Sequence, residues 1–164
     1  LLNVLEFFLR IPSEPEELRR EWCQDNLLDF RVLDRARLTF FDLLDRLEKM
    51  GVEKSAMMHD DPQREDMVTR ALFQGMFMQS ACSTTESGHY LLFSSGREAV
   101  IHRSSSVRST PQLIIYSDYF KTKSETLRLV SRVSRSWFLE TASDYFLSIE
   151  TQNEEIKMAI ESLR

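Results

Sequence analysis

The spacing of apolar positions along this 164-residue chain is helical at first, then strand-like, then helical again. Leu2, Leu5 and Leu9 recur at helical spacing, so residues 1–10 read as the end of a helix that Pro12 stops. Ser13, with Glu16 three residues on, forms a capping-box start. From there a helix is expected to about Phe30, with Leu18, Trp22, Leu27 and Phe30 as a ragged apolar stripe. A second helix is expected from about Leu33 to Met50. Leu33, Ala36, Phe40, Leu44 and Leu47 line one face of it, and Gly51 stands where a helix C-terminus favours glycine. Residues 52–61 read as a linker. Asp61 can cap and Pro62 can open a further helix running to about Gln74, with Met67, Ala71 and Phe73 directed inward.

Strand character then takes over. Strands are expected at 76–82, 89–94, 98–102, 112–117 and 126–133, with Gly88, Gly96 and Pro111 at turns. Helical pieces follow at about 135–146 and 151–163. Helices followed by five short strands, without strand–helix alternation, predict an α+β chain. Five short antiparallel strands with a helix inserted or appended fit a small closed barrel of the OB type. Alternation puts Tyr116 on the face of Ile114. Tyr119 and Phe120 lie at a strand junction where one should be exposed, and Trp137 reads as packing.

Composition bounds the class. Hydrophobic residues are 42% and charged residues 29%, as in an ordinary soluble globular chain of one domain or two small ones. No apolar run approaches the ~20 residues of a membrane-spanning helix, so no membrane partner is expected. The first residues lack a basic leader and a small-residue cleavage site, so they do not read as a signal peptide. A chain opening without Met inside an apolar helical run reads as part of something longer. Cys23 and Cys82 lack metal-ligand spacing and read most simply as two buried thiols in a reducing compartment.

The net charge of −5 argues at first against nucleic acid, but its distribution does not. Residues 97–135 carry Arg97, Arg103, Arg108, Lys121, Lys123, Arg128, Arg132 and Arg135 against only Glu98, Asp118 and Glu125, a net +5. Residues 1–96 are net −6 and residues 136–164 net −4. A basic stretch inside an acidic chain is the footprint of a polyanion contact, or simply of solvated strands.

Other chemistry is not signalled. The sequence has no Walker A motif, GxGxxG, CxxC or HExxH. His59, His89 and His102 lack carboxylate or Cys partners at ligand spacing. Ser104 to Ser106 follow His102-Arg103 in a polar turn, without the base and oxyanion hole a nucleophile needs. No catalytic or metal site is therefore expected in this segment. The functional candidates are the basic strands. Tyr90, Tyr116, Tyr119 and Phe120 interleave with Lys121, Lys123 and Arg128, as in barrels that hold single strands by a positive groove and aromatic faces.

The order of these pieces resembles the C-terminal region of the DEAH-box RNA helicases over roughly residues 1–146. The helical part carries Leu1-Leu2-Asn3-Val4, then Trp22-Cys23 with Asn26, then Arg35-Ala36. The strand part carries Phe77, Gly88-His89-Tyr90, Val100-Ile101-His102 with Ser104-Ser105, and Ile114-Ile115-Tyr116 with Asp118. Thr122-Lys123, Arg128 with Val130, Trp137-Phe138 and Tyr145-Phe146 complete it. The chain departs from the family pattern at four places. Arg103 replaces a Pro, Gln112 or Leu113 a Trp, and Ser143 a Pro, and the turn lysine is shifted by one position in Thr122-Lys123-Ser124.

The resemblance implies the end of a helical ratchet domain (1–74), an OB-fold domain (75–146) and a C-terminal helical tail (147–164). It implies a parent with two RecA-like motor domains and a winged helix, and with ATP and magnesium held there, not in this segment. It implies contact with single-stranded RNA and with activators such as G-patch proteins, a role in pre-mRNA splicing or ribosome assembly, and a nuclear location, with cytoplasm as the alternative. The residues expected to face RNA are His102, Arg103, Ser104, Ser105, Lys121, Lys123 and Arg128. The competing expectation is a protein-interaction module that docks activators or a ribonucleoprotein without touching RNA.

Overall fold

The structure, a computed structural model, describes residues 2–52, 63–84, 88–121, 123–148 and 153–164. His59, Thr122 and the Asp61-Pro62 helix start lie outside the described residues. The chain divides into two compact units, Leu1–Ala56 and Met57–Arg164.

The first unit holds three helices, α1 (Leu2–Arg10), α2 (Glu16–Asp25) and α3 (Phe30–Lys49). Phe8 of α1 is its fully buried centre, with the Trp22 and Phe30 rings 6.2 and 6.3 Å away. α2 starts where expected, but Ser13 does not cap it: Pro15 holds the N-cap position and no side chain bonds there, while Glu16 and Glu17 face the helix dipole. α2 also stops at Asp25 and does not continue to Phe30. Leu27 takes a left-handed φ of +56°, and Asp29 accepts the Arg31 and Val32 N–H groups, starting α3 three residues early. Leu27 is consequently exposed, and Cys23 and Arg19 are the buried residues of α2. On α3, Leu33, Ala36 and Leu44 are half-buried, whereas Phe40 and Leu47 stay exposed. Gly51, at φ +72°, closes α3: its N–H donates to Glu48 O and that of Val52 to Leu47 O, the paired bonds of a Schellman motif.

The second unit is a barrel wrapped on one side by helices. α4 (Arg64–Met76) runs into a 3₁₀ turn, Phe77–Gln79, before β1 (Ser80–Ser83). The first strand thus begins four residues later than expected, because helical winding continues through Gly75 and Ser80 Oγ–H closes on Phe77 O. β2 (His89–Leu92), β3 (Glu98–Ile101), β4 (Leu113–Lys121) and β5 (Glu125–Arg132) follow. The order around the closed barrel is β1-β2-β3-β5-β4, with β3 and β5 parallel and every other pair antiparallel. This is the OB topology, and the chain is α+β, as helices followed by short strands predict; the parallel β3–β5 pair departs from the antiparallel pairing expected, because the long connection between them lets β5 close the barrel beside β3.

Two cores use the two faces of the strands. Ala81, Tyr90, Leu92, Ala99, Ile114, Tyr116, Leu127 and Val130 fill the barrel, so Tyr116 does share the face of Ile114. Outside it, Cys82, Leu91, Phe93, Leu113 and Ile115 are covered by helices. Those helices are α4, α5 (Arg135–Thr141), α6 (Ser143–Ser148) and α7 (Glu154–Ser162). They contribute Phe73, Phe138, Phe146, Ile156 and Ile160, and half-buried Trp137 packs at the edge. On α4 only Phe73 turns inward; Met67 and Ala71 are exposed. The expected 135–146 helix breaks at Ala142, and Ser143, where the family pattern has Pro, opens α6. Cys23 and Cys82 are both free and buried.

Candidate nucleic-acid interface

Helices cover the β1–β2–β4 side of the barrel, which leaves the outer surface of β5, the far half of β4 and the turn after β3 open. At Leu129 the β5 backbone adopts φ +50°, so Arg128 and Leu129 both face outward between inward Leu127 and Val130. That local twist presents Arg128 on the open wall. In the parallel register Val100 pairs with Thr126 and Ile101 with Leu127, and the His102 N–H donates to Leu127 O at 2.9 Å. His102 therefore lies beside Arg128, whose Nη2 is 3.4 Å from His102 Nε2.

Antiparallel pairing places Phe120 on the other side. It sits opposite Thr126, and the Arg128 guanidinium carbon lies 4.7 Å from the Phe120 ring centre. Tyr119 and Phe120 are both about two-fifths exposed (36% and 40%), where the alternation predicts one. The result is a continuous ribbon of aromatic, guanidinium and imidazole groups, Phe120–Arg128–His102, with Asp118 opposite Arg128 as its one acidic neighbour in register.

The turn after β3 is held by its own side chains. His102 Nδ1 lies 2.7 Å from Ser104 Oγ and accepts the Ser104 N–H at 3.2 Å, and Ser105 Oγ accepts the Val107 N–H at 3.2 Å. The two hydroxyls thus shape the turn, and the Ser105 O–H proton remains able to donate outward. Arg103 is exposed beside them.

Lys121 and Lys123 belong to a second cluster. They stand at the β4–β5 hairpin, where Lys121 pairs with Glu125, three residues along β5 from Arg128, or roughly 10 Å. Lys121 Nζ lies 3.5 Å from Glu125 Oε1, and Arg97 Nη1 lies 3.8 Å from the same oxygen. The Tyr119 hydroxyl, with the Lys121 and Arg97 charges, holds the Glu125 carboxyl below the usual carboxylate range against an opposing desolvation effect. The seven expected residues therefore form two groups: His102, Arg103, Ser104, Ser105 and Arg128 together, and Lys121 and Lys123 apart from them. Sequence reasoning missed Glu125 and Arg97, because their role appears only once the hairpin register is known.

Residues 68–145 match a family described as "Oligonucleotide/oligosaccharide-binding (OB)-fold". The Xenopus laevis protein named as a pre-mRNA-splicing factor ATP-dependent RNA helicase, DHX32, is 22% identical over 152 residues, covering 85% of this chain and 20% of its own length. The Pongo abelii protein named as an ATP-dependent RNA helicase, DHX35, is 28% identical over 148 residues, covering 89% of this chain and 19% of its own. Its human counterpart is 26% identical over 148 residues, with coverages of 89% and 20%. The chain spans about a fifth of the length of these relatives. Residues 68–145 thus resemble an OB-fold domain of the kind found at the C-termini of DEAH helicases, and over most of its length the chain is similar, at low identity, to proteins named as ATP-dependent RNA helicases.

Proposed function

We propose that this chain is the C-terminal RNA-contacting and regulatory portion of a DEAH-box ATP-dependent RNA helicase. In this reading the Phe120–Arg128–His102 ribbon and the adjoining turn of Arg103, Ser104 and Ser105 hold single-stranded RNA, with Lys121 and Lys123 adding charge from the hairpin. The observation that carries the reading is the ribbon itself: an exposed aromatic under a guanidinium, continued by a histidine, on a barrel wall that the described helices leave open. Phosphate contacts carry affinity with little sequence information, so binding is weak, salt-dependent and sequence-tolerant. ATP and magnesium belong to the motor domains of the parent, and the winged helix lies there too. A G-patch activator, a splicing role and a nuclear location go with this reading; the splicing part is supported by the name one relative bears.

Fluorescence anisotropy with a labelled oligo-uridine strand tests it. The H102A/R128A double variant is expected to bind about tenfold more weakly than the parent chain. Absence of binding by the parent chain at low salt rejects RNA contact and favours the second reading, a docking module for proteins. The sharing of Glu125 by Lys121 and Arg97, which offsets one of their two charges, is what supports that second reading.

A further inference from the structure

A cleft of about 240 Å³ opens between the connection from β3 to β4 and Gly88, which precedes β2. Its polar lining is His102, Arg103, Ser105, Arg108, Ser109 and Thr110. Its apolar lining comes from Tyr90, Ile101 and Val107. The volume is below the ~300–1,000 Å³ of pockets that enclose a drug-sized molecule, and suits one small group better than a whole nucleotide.

We propose that this cleft is a phosphate seat, which takes one phosphodiester group of a single strand between the guanidinium groups of Arg103 and Arg108 and the hydroxyls of Ser105, Ser109 and Thr110. The proposal rests on the reading of the barrel as a single-strand binder and adds a place, and residues, that the ribbon does not include. Three observations carry it.

The first is charge. Among the described residues neither Arg103 nor Arg108 has an acidic partner, whereas Arg97 and Lys121 share Glu125. A phosphate arriving at the hairpin must compete with a carboxylate already in place; one arriving at the cleft meets two uncommitted guanidinium groups, which present forked donors to phosphate oxygens. The second is chemistry. The lining hydroxyls can donate to phosphate oxygens, and no carboxylate lines the cleft among the described residues. The third is preorganisation. Tyr90 Oη–H donates to Pro111 O at 3.0 Å at the far end of the connection, and the His102 N–H fixes the near end on β5. The Ser105 N–H donates to His102 O and the Val107 N–H to Ser105 Oγ in the middle. Donors held in place lose little freedom on binding. The cleft continues the ribbon, because His102 belongs to both.

The test uses the whole 164-residue chain and oligo-uridine strands with a free 5′-hydroxyl or a 5′-phosphate, titrated at several salt concentrations. The R103A/R108A double variant is expected to bind about tenfold more weakly. It should also lower the slope of log K against log salt by about 0.7 for each phosphate it no longer neutralises. The K121A/K123A variant is expected to weaken binding about threefold or less. Unchanged thermal melting of both variants, expected for exposed side chains, assigns the weaker binding to the missing cations and not to unfolding. A parent chain that binds while R103A/R108A keeps its affinity and slope overturns the seat and leaves the single-strand reading standing. A parent chain that does not bind overturns both. Equal affinity for the two strand ends is expected for an internal phosphodiester; a preference for the 5′-phosphate that R103A/R108A abolishes overturns the internal assignment in favour of a terminal phosphate.

Discussion

Glu125 Oε1 lies 3.5 Å from the Lys121 ammonium across the β4–β5 hairpin, and the same oxygen faces Arg97 at 3.8 Å. A carboxylate so placed occupies the position a strand phosphate would take between those cations. Glu125→Gln removes its charge and is expected to tighten oligo-uridine binding several-fold. It should also steepen the salt dependence by up to about 0.7 for each cation released. Anisotropy titrations at two salt concentrations check this.

The same carboxylate has a pH signature. The folded-state pKa of Glu125 is lowered, chiefly by the Tyr119 hydroxyl and then by Lys121 and Arg97. A lowered carboxylate contributes stability above its ordinary value of ~4.3 and loses it as pH falls through the folded value. The urea midpoints of the parent chain and Glu125→Gln should differ at pH 7 and converge as pH falls through the lowered folded value. A difference that grows on acidification contradicts the assignment.

The Cys82 thiol is pushed up to about 11 by burial in the outer core, and burial also raises Cys23. The thiolate is the reactive form, so at pH 8 only about a thousandth of Cys82 is reactive. Neither cysteine should react with a disulfide reagent in the folded chain, and both should react within minutes in urea. Fast labelling of the native protein at pH 8 refutes this.

Much of the barrel was legible in the chain. Gly88, Gly96 and Pro111 punctuate runs whose alternation places the cores, and the capping glycine Gly51 is where the pattern puts it. The misses have local causes. The capping box at Ser13 lost to Pro15, and Asp29 captured two N–H groups that the longer α2 would have left to the helix. Arg19, of which the apolar pattern says nothing, is buried, donating Nε–H to Pro12 O at 3.1 Å with Nη1 3.6 Å from Asp34. At the interface, the residue types were visible but their grouping was not. Only the strand register joins His102 to Arg128 and assigns Glu125 to Lys121, and single-sequence patterns carry no register between distant strands.

The outer core should be the most sensitive part of the second unit. Phe138 is fully buried, with the Phe93 ring 4.8 Å away and Phe146 stacked at 6.1 Å. Phe138→Ala leaves a cavity that three elements would have to collapse to fill, and is expected to cost about 3–5 kcal/mol in urea unfolding. A loss under 1 kcal/mol contradicts the packing of α5 on the barrel.

Gly96 and Asn153 form a lock between the β2–β3 turn and α7. Gly96 sits at φ +66°, and a Cβ there would come within 1.9 Å of Asn153 Nδ2. Asn153 cannot simply move aside, because its Oδ1 accepts the Glu155 N–H and caps α7. Gly96→Ala therefore combines left-handed backbone strain with disruption of the cap, together about 1.5–3 kcal/mol. Asn153→Gly alone should cost only a few tenths, because glycine is tolerated at an N-cap. The double variant removes the clash and retains the strain, so it should be more stable than Gly96→Ala by about 0.5 kcal/mol or more, and urea unfolding of the four proteins measures this as a coupling. Strict additivity would mean that the turn and the helix cap do not meet.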